Sequence, residues 1–230
     1  GHGYDWDITR IRARNMTENV VELMADSLRG LPEEARHLLS MAALIGNQFD
    51  VQMLALAAAR TPVAVAEVLW PALIHGYILP MDGRYRILNE LSQADFLKHG
   101  DSLKVSYRFL HDRVQQAAYS LSPRAERDQL HLQIGRLLLS GARERGTVEE
   151  QVFEIVSHLN TGAELIEAPE ERLAVCRLNL MAGRRARDSA AYAPAANFLR
   201  PGLEFLPADP WRAEPELTRE LQLTLGESEY

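Results

Sequence analysis

The chain of 230 residues has very little lysine and cysteine. Lys98 and Lys104 are the only lysines, so arginine supplies almost all of the positive charge. The formal net charge is −7, and an acidic chain of this kind disfavours general nucleic-acid binding. Cys176 is the single cysteine, which excludes an internal disulfide and a cysteine-rich zinc site. It lies on the apolar face of an expected helix, and we predict a buried small side chain rather than a nucleophile.

Long apolar runs and common catalytic motifs are also absent. No stretch approaches the ~20 apolar residues that a membrane-spanning helix needs, and we expect a cytoplasmic protein that does not bind membranes. The sequence contains no Gly-x-x-x-x-Gly-Lys-Ser/Thr loop, Gly-x-Ser-x-Gly, His-Glu-x-x-His or Cys-x-x-Cys. The seven histidines form no helical pair with a carboxylate in metal-ligand spacing. The sequence therefore predicts neither a metal site nor an enzyme.

Helical periodicity dominates the first half of the chain after residues 1–16, which we interpret as an N-terminal segment or linker. Candidate helix starts at Thr17, Pro32, Asp50 and Thr61 each precede apolar residues at helical spacing. The first of these helices is expected to place Val20, Val21, Met24 and Leu28 along one apolar stripe. Pro71 is a candidate kink within the fourth helix.

Three short segments rich in aromatic and β-branched residues follow these helices. "GYILP", "RYRILN" and "LKVSYRFL" are typical of strands, with "MDG" as a turn and residues 90–102 as a loop or short helix. Helices packed against such a small β-wing predict a winged-helix domain over residues 17–121.

The remainder, residues 122–230, is predicted to be a truncated array of antiparallel helical hairpins, which makes the whole chain mainly α. A long helix opens at Ser122-Pro123, and Thr147 with Glu150 matches a capping box before the next helix. Two further helices are expected at 169–187 and 190–206, followed by one from 215 onward. The helix over 190–206 has an alanine-and-aromatic pattern like the second helix of a tetratricopeptide repeat, although Pro201 favours a break within it.

The stretch "YRFLHDRVQQAAYSL" (107–121) predicts a strand that leads into an amphipathic helix, with His111 and Asp112 in the first helical turn. Asp112 would then favour the positive end of the helix dipole, with His111 partly buried. Alternatively, an exposed helix start with a histidine is suited to meet an anion. A catalytic His-Asp pair is disfavoured, because adjacent residues on a helix point in different directions.

Four long stretches (19–55, 107–139, 152–166 and 177–199) resemble the region after the nucleotide-binding core of bacterial STAND/AAA-type signalling ATPases. In that family the core occurs with serine/threonine kinase, GAF and histidine-kinase or cyclase domains. "FLHDRVQQAAY" also resembles the Met-His-Asp motif in the winged-helix domain of NB-ARC proteins such as plant immune receptors, with Leu110 in place of the methionine. The resemblance implies that His111 contacts the β-phosphate of ADP and that Asp112 organises it locally.

The resemblance further implies a non-catalytic regulatory segment of a longer parent protein. The segment would couple the nucleotide state of an upstream core to partner binding on the helical repeats. Because this chain has no P-loop, ADP or ATP would be a cofactor of the parent alone, and the parent would be an ATPase and protein kinase. The partners would be the upstream core and a protein, with no nucleic acid. Two alternatives stay open: a DNA-binding winged-helix transcription regulator, and a plain protein-interaction scaffold.

Overall fold

The computed structural model describes residues 20–86 and 105–229. The predicted linker at 1–16, the Thr17 cap and the predicted loop at 90–102 lie outside these residues. The chain divides into two compact units between Arg127 and Asp128. Across the described residues, eleven α-helices and three short strands make the chain mainly α, as predicted.

Three helices of the first unit start at the predicted residues Pro32, Asp50 and Thr61. Its elements are α1 (20–29), α2 (Glu33–Ile45), β1 (Gln48–Asp50), α3 (Val51–Ala57), α4 (Pro62–Ile74), β2 (Ile78–Pro80), β3 (Ser106–Phe109) and α5 (Asp112–Ser120). Asp50 caps α3 because its Oδ1 accepts a hydrogen bond from the backbone N–H of Gln52 at 2.7 Å. Thr61 caps α4 in the same way, and α4 continues through Pro71 to its end.

The three strands form one antiparallel sheet in the order β1-β3-β2. Phe49 of β1 pairs with Tyr107 of β3, and Leu79 of β2 pairs with Arg108. The prediction of a strand over 84–89 is wrong for Tyr85 and Arg86, which are helical, and residues 87–89 lie outside the described residues. The third strand is instead Gln48–Asp50, which directly precedes a helix and is too short to show the alternation of a strand.

The core of the first unit is built around an aromatic cluster on the sheet. The ring of Phe49 lies 6.0 Å from that of Tyr107 and 5.6 Å from that of Phe109. Burial raises the pKa of the Tyr107 phenol to about 12. The predicted stripe of α1 is correct at Leu28 but wrong at Val20, which is exposed.

The second unit consists of helices throughout its described residues. These are the greater part of α6 (Arg124–Arg145), then α7 (Val148–Thr161), a 3-10 turn (Ala163–Leu165), α8 (Pro169–Asp188), α9 (Tyr192–Glu204), α10 (Pro210–Ala213) and α11 (Pro215–Glu229). Thr147 precedes α7 but makes no side-chain cap, since its hydroxyl accepts instead from Nε2 of Gln151 at 3.0 Å. The predicted capping box is therefore not formed. The helix predicted at 190–206 is shorter at both ends, yet it runs unbroken through Pro201.

Successive long helices of the second unit run antiparallel and approach closely at glycines. A Cβ at Gly135 of α6 would lie 2.8 Å from Cδ2 of Leu159 on α7. A Cβ at Gly183 of α8 would lie 2.5 Å from Cδ2 of Leu199 on α9. Both distances are shorter than a van der Waals contact, so a Cβ at either position would force the facing leucine to shift.

Helices of the second unit that are not consecutive in the chain are joined by ion pairs that we call the arginine–glutamate series. In each pair the arginine precedes the glutamate in the chain and lies on α6 or α8, whereas the glutamate lies on α8, on α11 or between α10 and α11. The members are Arg136–Glu171 (2.7 Å), Arg177–Glu214 (3.5 Å), Arg184–Glu220 (3.0 Å) and Arg187–Glu227 (2.5 Å). The first two pairs join residues 35 and 37 positions apart. The series therefore connects α6 to α8, and α8 to α11 and to Glu214 just before it, at sequence offsets of 35 to 40 residues.

Within the described residues, no single helix is both long and apolar enough to cross a membrane. The helices α3 and α4 are long and apolar enough only when taken together, and the chain bends by 106° between them.

Candidate functional site

The candidate site lies where β3 ends and α5 begins. His111 is the N-cap residue of α5, with an extended backbone (φ −152°, ψ 150°). Two hydrogen bonds fix the approach to it. The backbone N–H of Phe109 donates to the carbonyl of Asn47 at 2.9 Å, and that of Leu110 donates to the carbonyl of Tyr77 at 3.0 Å. His111 is thus held by the segment before β1 and the segment before β2.

The His111 side chain takes part in capping α5. Its Nδ1 accepts a hydrogen bond from the backbone N–H of Arg113 at 3.2 Å. A neutral imidazole whose Nδ1 accepts must carry its proton on Nε2. Because His111 is exposed, this Nε2–H is available as a donor to solvent or to a ligand. The expectation that His111 is partly buried is wrong.

Asp112 is the first residue of α5 and is exposed. Its carboxylate lies in the first turn, where the positive end of the helix dipole favours a negative charge. Across the described residues the Asp112 side chain forms no hydrogen bond or ion pair, so it does not orient the His111 imidazole through a direct contact. The two side chains lie next to each other on the surface without forming a catalytic couple.

The arrangement supplies one oriented hydrogen-bond donor beside a helix N-terminus, which suits contact with an anion. It supplies no nucleophile. Cys176 lies in the second unit, fully buried as predicted, and burial raises the pKa of its thiol to about 11. The structure shows no group of three or more potential metal ligands in the part of the chain that it describes.

In the DNA-binding alternative, Gln115 and Gln116 of α5 are candidates for contact with base edges. Both side chains are engaged in other contacts. Nε2 of Gln115 donates to the carbonyl of Ala43 at 3.0 Å. Oε1 of Gln116 accepts from Nη1 of Arg113 at 2.9 Å. Reading a base edge would require these hydrogen bonds to break.

Two polar pairs in the second unit, each with one buried and one half-buried member, were missed by sequence reasoning. Nδ1 of His131 lies 2.9 Å from Nδ1 of His158, and burial, followed by the nearby His131, lowers the pKa of His158 to about 4. Asn160 and Asn179 exchange two amide hydrogen bonds of 2.8 and 2.9 Å. The members of each pair lie on different helices, so only the packing register brings them together, and no sequence spacing reveals it.

Comparison with known proteins gives one distant match. The chain is 28% identical over 225 residues to "Hybrid signal transduction histidine kinase G" of Dictyostelium discoideum. The alignment covers 81% of this chain but only 6% of the length of that protein. No family model and no solved structure matches the chain.

Proposed function

We propose that this chain is a non-catalytic regulatory segment of a longer signalling ATPase of the STAND type. It would combine a winged-helix domain with tetratricopeptide-like repeats and couple the nucleotide state of an upstream core to protein binding. The similarity to a hybrid signal transduction histidine kinase supports a signalling role for the chain. The winged-helix, repeat and nucleotide-coupling parts of the proposal are supported by the order of elements, the ion pairs and the geometry of His111.

The winged-helix assignment is supported by the order of elements in the first unit. The helix α2 is followed by β1, the helices α3 and α4, and then β2 and β3. The last strand returns to the centre of the sheet and pairs with both others. This helix–strand–helix–helix–strand–strand order is the one expected of a winged helix.

The repeat assignment is supported by the arginine–glutamate series. Tetratricopeptide repeats have a period of about 34 residues, each repeat being one pair of antiparallel helices. The offsets between paired charges run from 35 to 40 residues, slightly above that period. Antiparallel neighbours combined with these offsets favour stacked helical hairpins.

The observation that carries the proposed nucleotide coupling is the geometry of His111. Its Nδ1 is occupied by the cap of α5, so its exposed Nε2–H can donate to a phosphate oxygen. The backbone on both sides of the junction is fixed by hydrogen bonds to Asn47 and Tyr77, which orients this donor. A phosphate of ADP held by an upstream core would be a suitable acceptor.

The DNA-binding alternative is disfavoured by the composition of α4, the helix that would enter the major groove. Its only charged residue is Glu67, and it exposes Trp70 and Ile74. Binding to DNA phosphates depends on lysine and arginine, which α4 lacks. An apolar and acidic face of this kind is better suited to contact with protein.

The proposal can be tested by replacing His111 in the full-length parent protein with either Ala or Asn. Asn is a strong N-cap residue, so His111→Asn keeps the cap and removes the imidazole, whereas His111→Ala removes both. We expect both variants to lose ADP faster than the wild type and to raise basal signalling, as measured by retained nucleotide and output activity.

Retention of ADP at the wild-type level in both variants would leave a plain scaffold as the better reading. Normal retention in His111→Asn together with loss in His111→Ala would assign the effect to the helix cap alone. Either result would overturn the role of His111 as a phosphate contact.

A further inference from the structure

A cleft of about 350 Å³ opens in the first unit between α2 and the C-terminal end of α5. It lies at the opposite end of α5 from His111, a separation of about 13 Å along a nine-residue helix. Polar side chains line most of its wall: Arg29, Arg36, His37, Ser40, Ser120 and Ser122, together with two glutamates. The cleft is therefore separate from the proposed nucleotide contact.

The cations of the cleft differ in whether their charge is compensated. Arg29 pairs with Asp26, and Nδ1 of His37 lies 3.2 Å from Oε1 of Glu126. The side chain of Arg36, which is half-buried, makes no hydrogen bond or ion pair with any described residue. Among the described residues, its guanidinium is thus the cation of this cleft without an ion pair, and the carboxylate of Glu33 in the same wall also has none.

The Nε of Arg36 is unusual in a second respect. Among the described residues, it is the one buried side-chain nitrogen or oxygen that lacks a hydrogen-bond partner. A buried donor without an acceptor costs free energy, and the cost is larger for a charged group. Folded proteins contain few such groups, so the Arg36 side chain is a candidate for contact with an acceptor outside the described residues.

A second donor is available beside Arg36. The hydroxyls of Ser40 and Ser122 are both buried and lie 2.6 Å apart. Ser40 also contacts the carbonyl of His37 at 3.2 Å. If Ser40 turns its proton towards Ser122, the proton of Ser122 becomes free to donate to a ligand, at the loss of only the longer of these two hydrogen bonds.

We propose that this cleft binds an oxyanion, either a phosphate group or a carboxylate, with Arg36 as its main contact and Ser122 as a second donor. A guanidinium forms charge-assisted and bidentate hydrogen bonds with both kinds of group. Binding would give the Arg36 guanidinium, the cation of this cleft without an ion pair, an anionic partner. The inference does not depend on the nucleotide coupling proposed for His111.

The test uses the 230-residue chain labelled with ¹⁵N and titrated with inorganic phosphate against chloride at equal ionic strength. A parallel titration with succinate separates a phosphate site from a carboxylate site. We expect one of these anions to shift the Arg36 Nε–H resonance and to raise the melting temperature. The matched control is Arg60→Met, because Arg60 is ion-paired with Glu34 and lies outside the cleft.

In Arg36→Met we expect anion binding to weaken by at least about tenfold, the loss expected for one charge-assisted hydrogen bond. Arg60→Met should bind like the wild type. Without anion, Arg36→Met should be at least as stable as the wild type, because an unpaired, half-buried charge has been removed. Arg36→Lys keeps the charge but loses the planar fork, so it should fold normally and still bind more weakly.

Two results would overturn the proposal. One is an equal response of the wild type and both Arg36 variants to anion, which would reveal a general salt effect. The other is the absence of any shift of the Arg36 Nε–H resonance with either anion.

Discussion

Replacement of Gly183 by Ala tests whether the close approach of α8 and α9 holds the second unit together. An added Cβ would lie 2.5 Å from Cδ2 of Leu199, which is fully buried and has little room to move. Overpacking of this kind costs about 1–3 kcal/mol. The higher helix propensity of Ala offsets about 1 kcal/mol of that cost. We therefore expect Gly183→Ala to lower the free energy of unfolding by about 1 kcal/mol.

Gly226 provides the matched control on α11. It is also a helical glycine, but no atom lies within 4 Å of a Cβ added there. Gly226→Ala should therefore stabilise the chain by about 0.5–1 kcal/mol through helix propensity alone. The two variants have the same chemical change, so the difference between them, about 2 kcal/mol, measures the contact with Leu199.

Urea unfolding followed by far-UV circular dichroism measures both changes. A double-mutant cycle with Leu199→Ala locates the effect, since the Leu199 change should cost less in the Gly183→Ala background than in the wild type. The reasoning is refuted if Gly183→Ala is as stable as Gly226→Ala. That result would mean that Leu199 moves aside without loss and that the helices are not held at this distance by the glycine.

Three further predictions concern the buried polar groups of the second unit. Asn160→Ala should destabilise the second unit by about 1–3 kcal/mol, because the buried Asn179 amide loses its Asn160 partner. A double-mutant cycle across the two asparagines should show coupling. Additive changes in the free energy of unfolding would argue against the pair. The folded-state pKa of His158, about 4, lies below the ordinary 6.5, so its stabilising contribution is complete above pH 6.5 and is lost as the pH falls towards 4. The loss should total about 3 kcal/mol in urea unfolding at a series of pH values, and an unchanged slope in His158→Leu would contradict it. Cys176 should react with a thiol reagent only when the second unit unfolds, because the thiol is fully buried and its pKa is raised to about 11; rapid labelling of the native chain would exclude this.

The helices were the part of the fold that the sequence predicted best. In α2 a proline start, two first-turn glutamates, an apolar stripe and a terminal glycine agree, and the structure confirms Glu33–Ile45. The strands were harder, because β1 and β2 have three residues each and pair only with the distant β3. Short strands depend on tertiary pairing more than on local pattern, which explains why Gln48–Asp50 was missed and why Tyr85 was assigned wrongly.

The candidate site was predictable only in part. The pattern around His111 correctly indicated a strand that leads directly into an amphipathic helix. It did not reveal that the imidazole itself caps the helix, because histidine is not a common N-cap residue. That contact decides the tautomer and so the direction of the available proton. Arg36 could not be identified from the sequence at all, since whether a charge has a partner depends on every neighbouring element.

The arginine–glutamate series shows why a sequence can predict these helices without predicting their packing. In each pair at least one of the two side chains is exposed. Exposed ion pairs contribute only about 0–1 kcal/mol each to stability. The glycine contacts and the buried apolar residues must therefore supply most of the stability. The charges have another effect: every pair joins an arginine to a glutamate that comes later in the chain, beyond at least one intervening helix. A helix displaced along its neighbour would separate several pairs at once, so their combined effect favours one register over others. This preference for one register arises only when the helices are in contact, so the residue spacing within a single helix cannot predict it.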